Sequence, residues 1–288
     1  MERLLTDRFT LSAVEHLHRY ALAADICHGM EVLDIASGEG YGSNLLSRKA
    51  RRVIGVDLSK DATEQAKAKY SHPNLSYIQG AAEAIPLDDA SVDAVVSFET
   101  LEHHDKHEEM LAEIKRVLRP DGVLIISTPD KLFYSDIPQY TNEFHVRELY
   151  LDEFRALIQR HFHRHRLLSQ GPTFGTIIAP GDDWGSFSYY GGDFQTCDSV
   201  QRLTHTEYNI GIASDGDLPE VGVSFFDGYL ALEEYRRQVE KRERRVPHLE
   251  KRLRNREQFI HELQNSVSYR LGRSLTWPLR KLFGSDPG

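Results

Sequence analysis

Short apolar runs alternate with amphipathic segments along the first 170 residues of the chain. The pattern predicts strands at 31–36, 52–57, 74–79, 92–98 and 123–128, and helices at 11–27, 44–49, 60–70, 106–118 and 149–160. Apolar strands that alternate with helices are typical of a parallel sheet covered by helices on both faces. We therefore expect an α/β fold with a doubly wound, mostly parallel sheet.

The pattern changes after residue 170. Residues 171–219 are rich in glycine, aspartate and aromatic residues without a regular period, and a last strand is predicted at 221–226. From residue 228 apolar side chains recur every seven residues, which is typical of a coiled coil, and Pro247 predicts a kink or a two-part helix. A dimeric coil and a helix packed along its own body both remain open. The predicted organisation is an N-terminal helical cap (1–30), a core (31–170), an aromatic-rich insertion with the last strand (171–227) and a coiled-coil-like helix with a basic tail (228–288).

Charge is distributed unevenly along the 288 residues. The net charge of -9 combines 14 basic and 8 acidic residues in 228–288 with 21 basic and 36 acidic residues before them. An acidic body argues against a nucleic-acid partner. The apolar runs are too short to cross a bilayer, no secretion signal precedes them, and two cysteines cannot form a disulfide framework. We expect a cytoplasmic protein.

A glycine-rich loop follows the first predicted strand. The segment VLDIASGEGYG (32–42) has glycine at positions 38, 40 and 42, where the backbone can turn tightly and approach a ligand. The second strand ends in Asp57, 17 residues after Gly40. An acidic residue at this place can accept hydrogen bonds from ribose hydroxyls. The two features together predict a site for a nucleoside-containing cofactor.

Residues 10–170 resemble the class I S-adenosylmethionine-dependent methyltransferases. The motif D-x-A-x-G-x-G-x-G is matched from Asp34 to Gly42, and Ala81 stands where the family usually has the aspartate of G-D-A. The resemblance implies a Rossmann-like, mostly parallel sheet of seven strands and S-adenosylmethionine as cofactor. It also implies a set of cofactor-binding residues, namely Asp34, Ala36, Gly38, Gly40, Tyr41, Gly42, Asp57, Leu58, Ala82, Glu83, Phe98 and Glu99.

A second motif, E-x-x-E-H, follows the fourth predicted strand as Glu99, Glu102 and His103. Two carboxylates and an imidazole at this spacing could hold a divalent cation. The motif is similar to that of ubiquinone-pathway O-methyltransferases and small-RNA 2'-O-methyltransferases. That resemblance implies Mg²⁺ held by Glu99, Glu102, His103 and a downstream His145. We prefer the metal-free alternative, in which Glu99 lines the cofactor pocket and His103 is a general base. Glu102 and His145 are then the further predicted catalytic residues, which serve the acceptor together with His103.

The C-terminal part of the chain suggests the acceptor and the partners. The tail SVSYRLGRSLTWPLRKLFG sets apolar and aromatic residues among cations, which suits peripheral contact with an anionic membrane. It resembles C-terminal segments of bacterial surface-polysaccharide enzymes, and a methyltransferase joined to a coil resembles proteins that cap O-antigen chains. The resemblance implies O-methylation of a sugar hydroxyl on a glycan or small-molecule acceptor, and contact through residues 232–267 with a second copy or a glycosyltransferase. The alternatives are an aromatic or lipid quinol acceptor, and an inactive scaffold acting through its coil.

Overall fold

A computed structural model describes residues 10–172, 175–180, 189–192, 197–200, 203, 206–267, 269 and 271. The chain divides into two compact units, residues 1–232 and 233–288. The strands of the first unit are β1 (Glu31–Ile35), β2 (Arg52–Asp57), β3 (Leu75–Gln79), β4 (Val92–Phe98), β5 (Leu118–Pro129), β6 (Arg164–Pro172), β7 (Gly175–Pro180), β8 (Tyr189–Gly192), β9 (Cys197–Val200), β10 (Tyr208–Ser214) and β11 (Ser224–Asp227). The α-helices are α1 (Leu11–Ile26), α2 (Tyr41–Ser47), α3 (Lys60–Lys69), α4 (His107–Val117), α5 (Leu151–His161) and α6 (Tyr229–Asn265).

The expected α/β class is confirmed, but the sheet is larger than predicted. Within the described residues it has nine strands rather than seven, in the order β11-β7-β6-β10-β5-β4-β1-β2-β3. Strands β1 to β5 pair in parallel, whereas β10 is antiparallel to both β5 and β6. The two additional strands, β7 and β11, extend the edge beyond β6. Strands β8 and β9 form a separate two-stranded ribbon.

Both faces of the sheet are covered by helices. Alternate residues of β1 illustrate this, because Leu33 packs into the apolar cluster that contains α4 and α5, whereas Val32 packs into the cluster that contains α1 and α2. The two-residue period of a strand sends successive side chains to opposite faces. The helices therefore bury the sheet from both sides and leave the carboxyl ends of its parallel strands available for a site.

The strand inserted between β5 and β6 is a correction to the sequence analysis. Strand β10 lies inside the segment for which no regular structure was predicted, and all seven of its residues are buried. The predicted last strand at 221–226 overlaps only the edge strand β11. The sequence hides β10 because Asn209 and Gly211 interrupt its apolar run.

Helix α6 begins at Tyr229 and continues to Asn265 as one helix of 37 residues. Helix α6 continues through Pro247, so the two-part helix, one of the two expectations for this position, is wrong, whereas the kink stays a prediction. No helix among the described residues has the length and apolar character needed to span a bilayer. The basic tail beyond residue 271 and much of the aromatic-rich insertion (173–174, 181–188 and 193–196) lie outside the described residues.

Candidate active site

A cavity of about 730 Å³ lies along the carboxyl ends of the parallel strands. Its wall includes a residue at or just after the end of each of β1 to β5, namely Ile35, Asp57, Gly80, Phe98 and Pro129. This edge is where doubly wound sheets place their ligands. Most of the predicted site residues lie on its wall, namely Ala36, Gly38, Tyr41, Asp57, Leu58, Ala82, Glu83, Phe98, Glu99, Glu102, His103 and His145.

Asp57 ties the glycine-rich loop to the start of the next helix. Its Oδ2 accepts a hydrogen bond from the amide of Gly38 over 2.9 Å, and its Oδ1 accepts one from the amide of Ser59 over 2.8 Å. Ser59 in turn caps α3, as its hydroxyl accepts the amide of Ala62 over 3.3 Å. The carboxylate therefore fixes the loop and also reaches the cavity wall, where a ribose would lie.

Asp34 has a different place from the one predicted, because it lies beneath the loop and not on the cavity wall. It is fully buried and accepts hydrogen bonds from the hydroxyls of Ser43 over 2.5 Å and Tyr20 over 3.1 Å. Burial raises the pKa of this carboxyl to about 7, and the two hydroxyls only partly offset that effect. Asp34 thus supports the loop from below by joining it to α1 and α2.

Gly40 and Gly42 also lie off the wall and allow close packing. A Cβ at Gly40 would come within 2.6 Å of the hydroxyl oxygen of Tyr77, and one at Gly42 would overlap the ring of Tyr20. Tyr77 donates its hydroxyl hydrogen to the carbonyl of Gly40 over 2.9 Å. Because neither glycine has a side chain, the loop can pack directly against Tyr77 and Tyr20.

Ala82 and Glu83, which the resemblance placed among the cofactor-binding residues, lie on the cavity wall just after β3. The Glu83 carboxylate accepts a hydrogen bond from the ammonium group of Lys106 over 2.8 Å, and this bond is the main reason that the pKa of Glu83 is lowered. An ionised Glu83 paired with Lys106 presents oxygen atoms that can accept further hydrogen bonds. Leu58, on the same wall, is 59% exposed and offers an apolar surface to a flat ring.

Glu99 adopts a strained backbone conformation directly after β4, with φ at 53°. Non-glycine residues in this region cost free energy and often occur at functional sites. The hydroxyl of Ser127 donates to its Oε1 over 2.6 Å, and the Nη2 atom of Arg19 lies 3.8 Å from the same oxygen. Neighbouring groups therefore hold the carboxylate in one orientation on the wall.

Glu102 and His103 share a 3-10 turn, Leu101–His103, at the same edge. The Nδ1 atom of His103 donates to the carbonyl of Phe144 over 3.1 Å, which leaves the lone pair of a neutral ring on Nε2. That Nε2 atom lies 4.0 Å from the Oε1 atom of Glu102. Burial, and then the charge of Glu99, raise the pKa of Glu102 well above its usual range. A positive charge at His103 would offset that penalty.

His145 is brought to this turn from 42 residues further along the chain. Its Nδ1 atom donates to the Oε1 atom of Glu148 over 2.5 Å, and its ring stacks on Tyr134 at a centroid distance of 5.3 Å. The rings of His145 and His103 meet edge to face, also at 5.3 Å. The backbone reinforces the junction, because the amide of Val146 donates to the carbonyl of Glu102 over 2.7 Å.

Residues 33–126 match the family model of the methyltransferase domain. A probable S-adenosylmethionine-dependent methyltransferase of Mycolicibacterium smegmatis is 40% identical over 143 residues, which cover 49% of this chain and 54% of that protein. A fatty-acid O-methyltransferase of the same species is 28% identical over 137 residues, 47% of this chain and 49% of that protein. The chain thus spans about half the length of the curated relatives that it matches.

The match of residues 33–126 to a methyltransferase domain and the similarity to these relatives support a class I S-adenosylmethionine-dependent methyltransferase. The fold agrees, because the YcgJ protein of Bacillus subtilis superposes with a TM-score of 0.52 at 20% identity, covering 72% of this chain and all of that one. A methyltransferase of Thermotoga maritima superposes with a TM-score of 0.51 at 16% identity, covering 71% and 91%. The cofactor of this domain type is S-adenosylmethionine, as the sequence motif implied.

One part of the cavity wall carries three side chains that could together hold a divalent metal ion. Glu102, His103 and His145 each offer a ligand atom, and the three atoms lie within 4.8 Å of one another. Both imidazoles donate Nδ1–H to an oxygen, that of Phe144 and that of Glu148 respectively, as metal-bound histidines commonly do. Nε2 of His145 accepts a hydrogen bond from the side-chain amide of Asn142 over 3.1 Å, which a metal at this atom would replace. Glu99, which the resemblance placed in the set, lies outside this cluster. One carboxylate and two imidazoles favour a softer cation than Mg²⁺.

The sequence analysis missed several cavity residues. Helix α1 and its N-cap contribute Thr10, Ser12, His16 and Tyr20, and β10 contributes Tyr208. His16 and Tyr41 are joined by a hydrogen bond of 2.8 Å between the imidazole Nδ1 and the tyrosine hydroxyl. Thr10 caps α1 by accepting the amide of Ala13 over 3.3 Å. The periodicity of α1 indicated only an amphipathic helix, which does not separate core positions from cavity positions.

Proposed function

We propose that this chain transfers the methyl group of S-adenosylmethionine to a hydroxyl oxygen. The observation that carries the proposal is the continuity of one cavity, whose wall includes the donor loop and Asp57 at one part and Glu102, His103 and His145 at another. A donor and an acceptor held in such a space would react without a covalent enzyme intermediate. Catalysis would then come mainly from alignment and from exclusion of water.

The reaction is a direct displacement. The acceptor oxygen forms a bond to the methyl carbon while the carbon–sulfur bond breaks, and the sulfonium becomes the neutral thioether of S-adenosylhomocysteine. The hydroxyl proton passes to Nε2 of His103, whose other nitrogen is held by the carbonyl of Phe144. The nearby Glu102 carboxyl would stabilise the imidazolium that results.

A metal at the Glu102, His103 and His145 cluster is the second form of the same proposal. Support comes from the three possible ligand atoms and from the oxygen atoms that accept Nδ1–H of the two imidazoles. A divalent cation would supply Lewis acidity that lowers the pKa of an acceptor hydroxyl. In that form, this chain's own residues would orient the acceptor oxygen and keep water away from it.

For the acceptor we propose a sugar hydroxyl in bacterial surface-polysaccharide biosynthesis, on the basis of the tail and the coil. A second candidate is a lipid hydroxyl or quinol. Two relatives favour the lipid candidate, the fatty-acid O-methyltransferase above and a phthiotriol/phenolphthiotriol dimycocerosates methyltransferase of Mycobacterium tuberculosis, 35% identical over 107 residues, 36% of this chain and 39% of that protein.

We also propose that residues 232–267 bind a partner, either a second copy of the chain or a glycosyltransferase. Support comes from apolar side chains that recur every seven residues in this segment. Three of them, Leu253, Ile260 and Val267, are 59%, 51% and 73% exposed. Apolar side chains at such spacing are typical of a coiled-coil seam. The tail beyond residue 271 lies outside the described residues, and its contact with an anionic membrane stays a prediction from sequence.

The test of the function begins with calorimetric titration of S-adenosylhomocysteine into the full chain. Micromolar binding that is lost in Asp57→Ala would support the donor site, and methyl transfer from labelled donor to alkyl glucosides would support the reaction. A folded protein that binds neither S-adenosylmethionine nor S-adenosylhomocysteine would contradict the proposal. That result would favour the inactive scaffold instead. Ala81, where the family usually has aspartate, is the one sequence feature that supports the scaffold.

A further inference from the structure

Exposed apolar side chains concentrate in one segment beside the acceptor end of the cavity. Between residues 131 and 150 six large apolar side chains are from 39% to 63% exposed, and we call them the apolar rim: Leu132, Ile137, Tyr140, Phe144, Val146 and Tyr150. Isolated exposed apolar residues are ordinary, whereas a concentration of them marks a binding surface. This segment also contributes Tyr134 and His145 to the cavity wall.

Three members of the apolar rim are attached directly to residues of the cavity wall. The ring of Tyr140 contacts the ring of Tyr134 at a centroid distance of 5.8 Å. The carbonyl of Phe144 accepts a hydrogen bond from His103, and the amide of Val146 donates one to Glu102. The segment that carries the rim is therefore joined to the wall residues Glu102, His103 and Tyr134.

The backbone of the rim is irregular in a way that exposes these side chains. Residues Leu132–Asp136 form a single turn of π-helix, and Gln139 follows with a positive φ of 52°. The hydroxyl of Tyr150 donates to the Oδ2 atom of Asp136 over 2.8 Å, which ties the end of the segment to the π-helical turn. Such local irregularity is common at functional sites.

The charge of the segment indicates which apolar partner it suits. Residues 131–150 contain two basic and three acidic side chains. A surface that docks on an anionic membrane is normally rich in lysine and arginine. This one lacks that excess, so its apolar area fits a single uncharged alkyl chain better than the surface of a bilayer.

We propose that the apolar rim binds the alkyl chain of an amphipathic acceptor whose hydroxyl enters the cavity beside His103. The inference rests on the proposed function, since it names the class of acceptor for that same site. It reconciles the two acceptor candidates, because a glycolipid or lipid-linked sugar has both a sugar hydroxyl and an alkyl chain.

The test uses butyl, hexyl, octyl and decyl β-glucosides, kept below their micelle concentrations and titrated into the full chain saturated with S-adenosylhomocysteine. Affinity is expected to rise about two- to four-fold per methylene, the upper value being that of a fully buried methylene. The double variant Ile137→Ser and Val146→Ser should flatten this dependence. Both side chains are well exposed, so the fold should tolerate the changes. Phe225→Ser, 56% exposed on β11, is the matched control and should keep the wild-type slope.

Equal affinity for all four glucosides would overturn the proposal that the rim binds the alkyl chain. So would a dependence of affinity on chain length that the double variant retains. Binding of phosphatidylcholine–phosphatidylglycerol vesicles that the double variant abolishes, without any chain-length slope, would assign the surface to a membrane and overturn the proposal. A monomer–dimer equilibrium abolished by the same variant, again without a slope, would assign it to a second copy. Binding of S-adenosylhomocysteine is measured separately, so a failure of the donor site is distinguished from a failure of the rim to bind the alkyl chain.

Discussion

The amide of Gly38 and the carboxylate of Asp57 are joined by a hydrogen bond of 2.9 Å, across the ends of the first two strands. The second oxygen of the same carboxylate accepts the amide of Ser59. One side chain thus fixes both segments that would surround the ribose of S-adenosylmethionine. We therefore propose that Asp57 organises the donor site, in addition to its place on the cavity wall.

Asp57→Asn is expected to weaken S-adenosylhomocysteine binding by about ten- to a hundred-fold, the range for losing a charge-assisted hydrogen bond. Asparagine keeps one acceptor oxygen, so one of the two amides would face an NH₂ group. Isothermal titration calorimetry measures the change, and thermal melting checks that the variant is folded. Asp61→Asn, an exposed change in the first turn of α3, should leave the affinity intact. Equal affinities of Asp57→Asn and wild type would remove Asp57 from the donor site.

Gly38→Ala can be compared with Gly29→Ala, because the two glycines both have a positive φ and differ in location. Their φ values are 54° and 74°, and a Cβ at either place would meet nothing within 4 Å. Left-handed alanine should cost each variant about 1–2 kcal/mol of unfolding free energy. Only Gly38 lies on the cavity wall, so only Gly38→Ala should also weaken S-adenosylhomocysteine binding. Urea unfolding and calorimetry on both variants provide the comparison, and equal affinities would show that the loop backbone does not approach the ligand.

The parallel half of the sheet was predictable because its strands are apolar runs between helices. Strand β10 was not predictable, because its polar and small residues are required by contacts with residues that are far away in the sequence. The amide of Asn209 donates to the Oδ2 atom of buried Asp130 over 2.9 Å. Gly211 leaves room for Ile158, whose Cδ1 an added Cβ would overlap. Contacts of this kind, between residues far apart in the sequence, place polar and small residues in a buried strand and so interrupt its apolar pattern.

The same limit applies to the site. The glycine loop, Asp57 and the E-x-x-E-H motif are local patterns, and most of them line the cavity. His16 and Tyr20 lie on α1, where helical periodicity gives core and cavity positions the same appearance. Glu148 had no sequence signal either, because its role depends on the hydrogen bond to His145. Residues that support a functional side chain become visible only in the folded molecule.

Asp34 should make the stability of the protein depend on pH. Burial raises the pKa of this carboxyl to about 7 from the ordinary value of 3.8, so the folded state binds the proton more tightly than the unfolded state. Its contribution is fully present below pH 3.8 and is lost as the pH rises to about 7. Asp34→Asn removes this titration, so the unfolding free energy of wild type minus that of the variant should fall across this range by a few kcal/mol, on the order that linkage gives. Urea unfolding at a series of pH values measures it.

The control for that experiment is Asp61→Asn, whose exposed side chain should give a difference that does not vary with pH. Glu15, whose pKa burial also raises to about 7, titrates in all three proteins and cancels from each difference. A difference between wild type and Asp34→Asn that stays constant from acid to neutral pH would show that Asp34 titrates normally.

Arg19 should matter to stability because its charge is fully buried behind the cavity wall. Its Nη1 atom donates to Gln170 over 2.7 Å, its guanidinium lies 4.5 Å from the centroid of Tyr208, and Glu99 is its nearby anion. Arg19→Met keeps much of the volume but leaves Glu99 without that cation. Removing one member of a buried ion pair typically costs about 3–5 kcal/mol. Urea unfolding should show a loss of this size, whereas Arg51→Met, with a side chain 60% exposed, should lose less than about 1 kcal/mol.

A double variant tests whether the loss arises from the charge of Glu99. Arg19→Met combined with Glu99→Gln removes both charges, and glutamine can still accept the hydroxyl hydrogen of Ser127. Its unfolding free energy should therefore be higher than that of Arg19→Met alone, because no uncompensated carboxylate remains. If the two single losses simply add, the cost of Arg19→Met comes from packing against Tyr208 and Phe98 and from the bond to Gln170, and the orientation of Glu99 does not depend on the guanidinium.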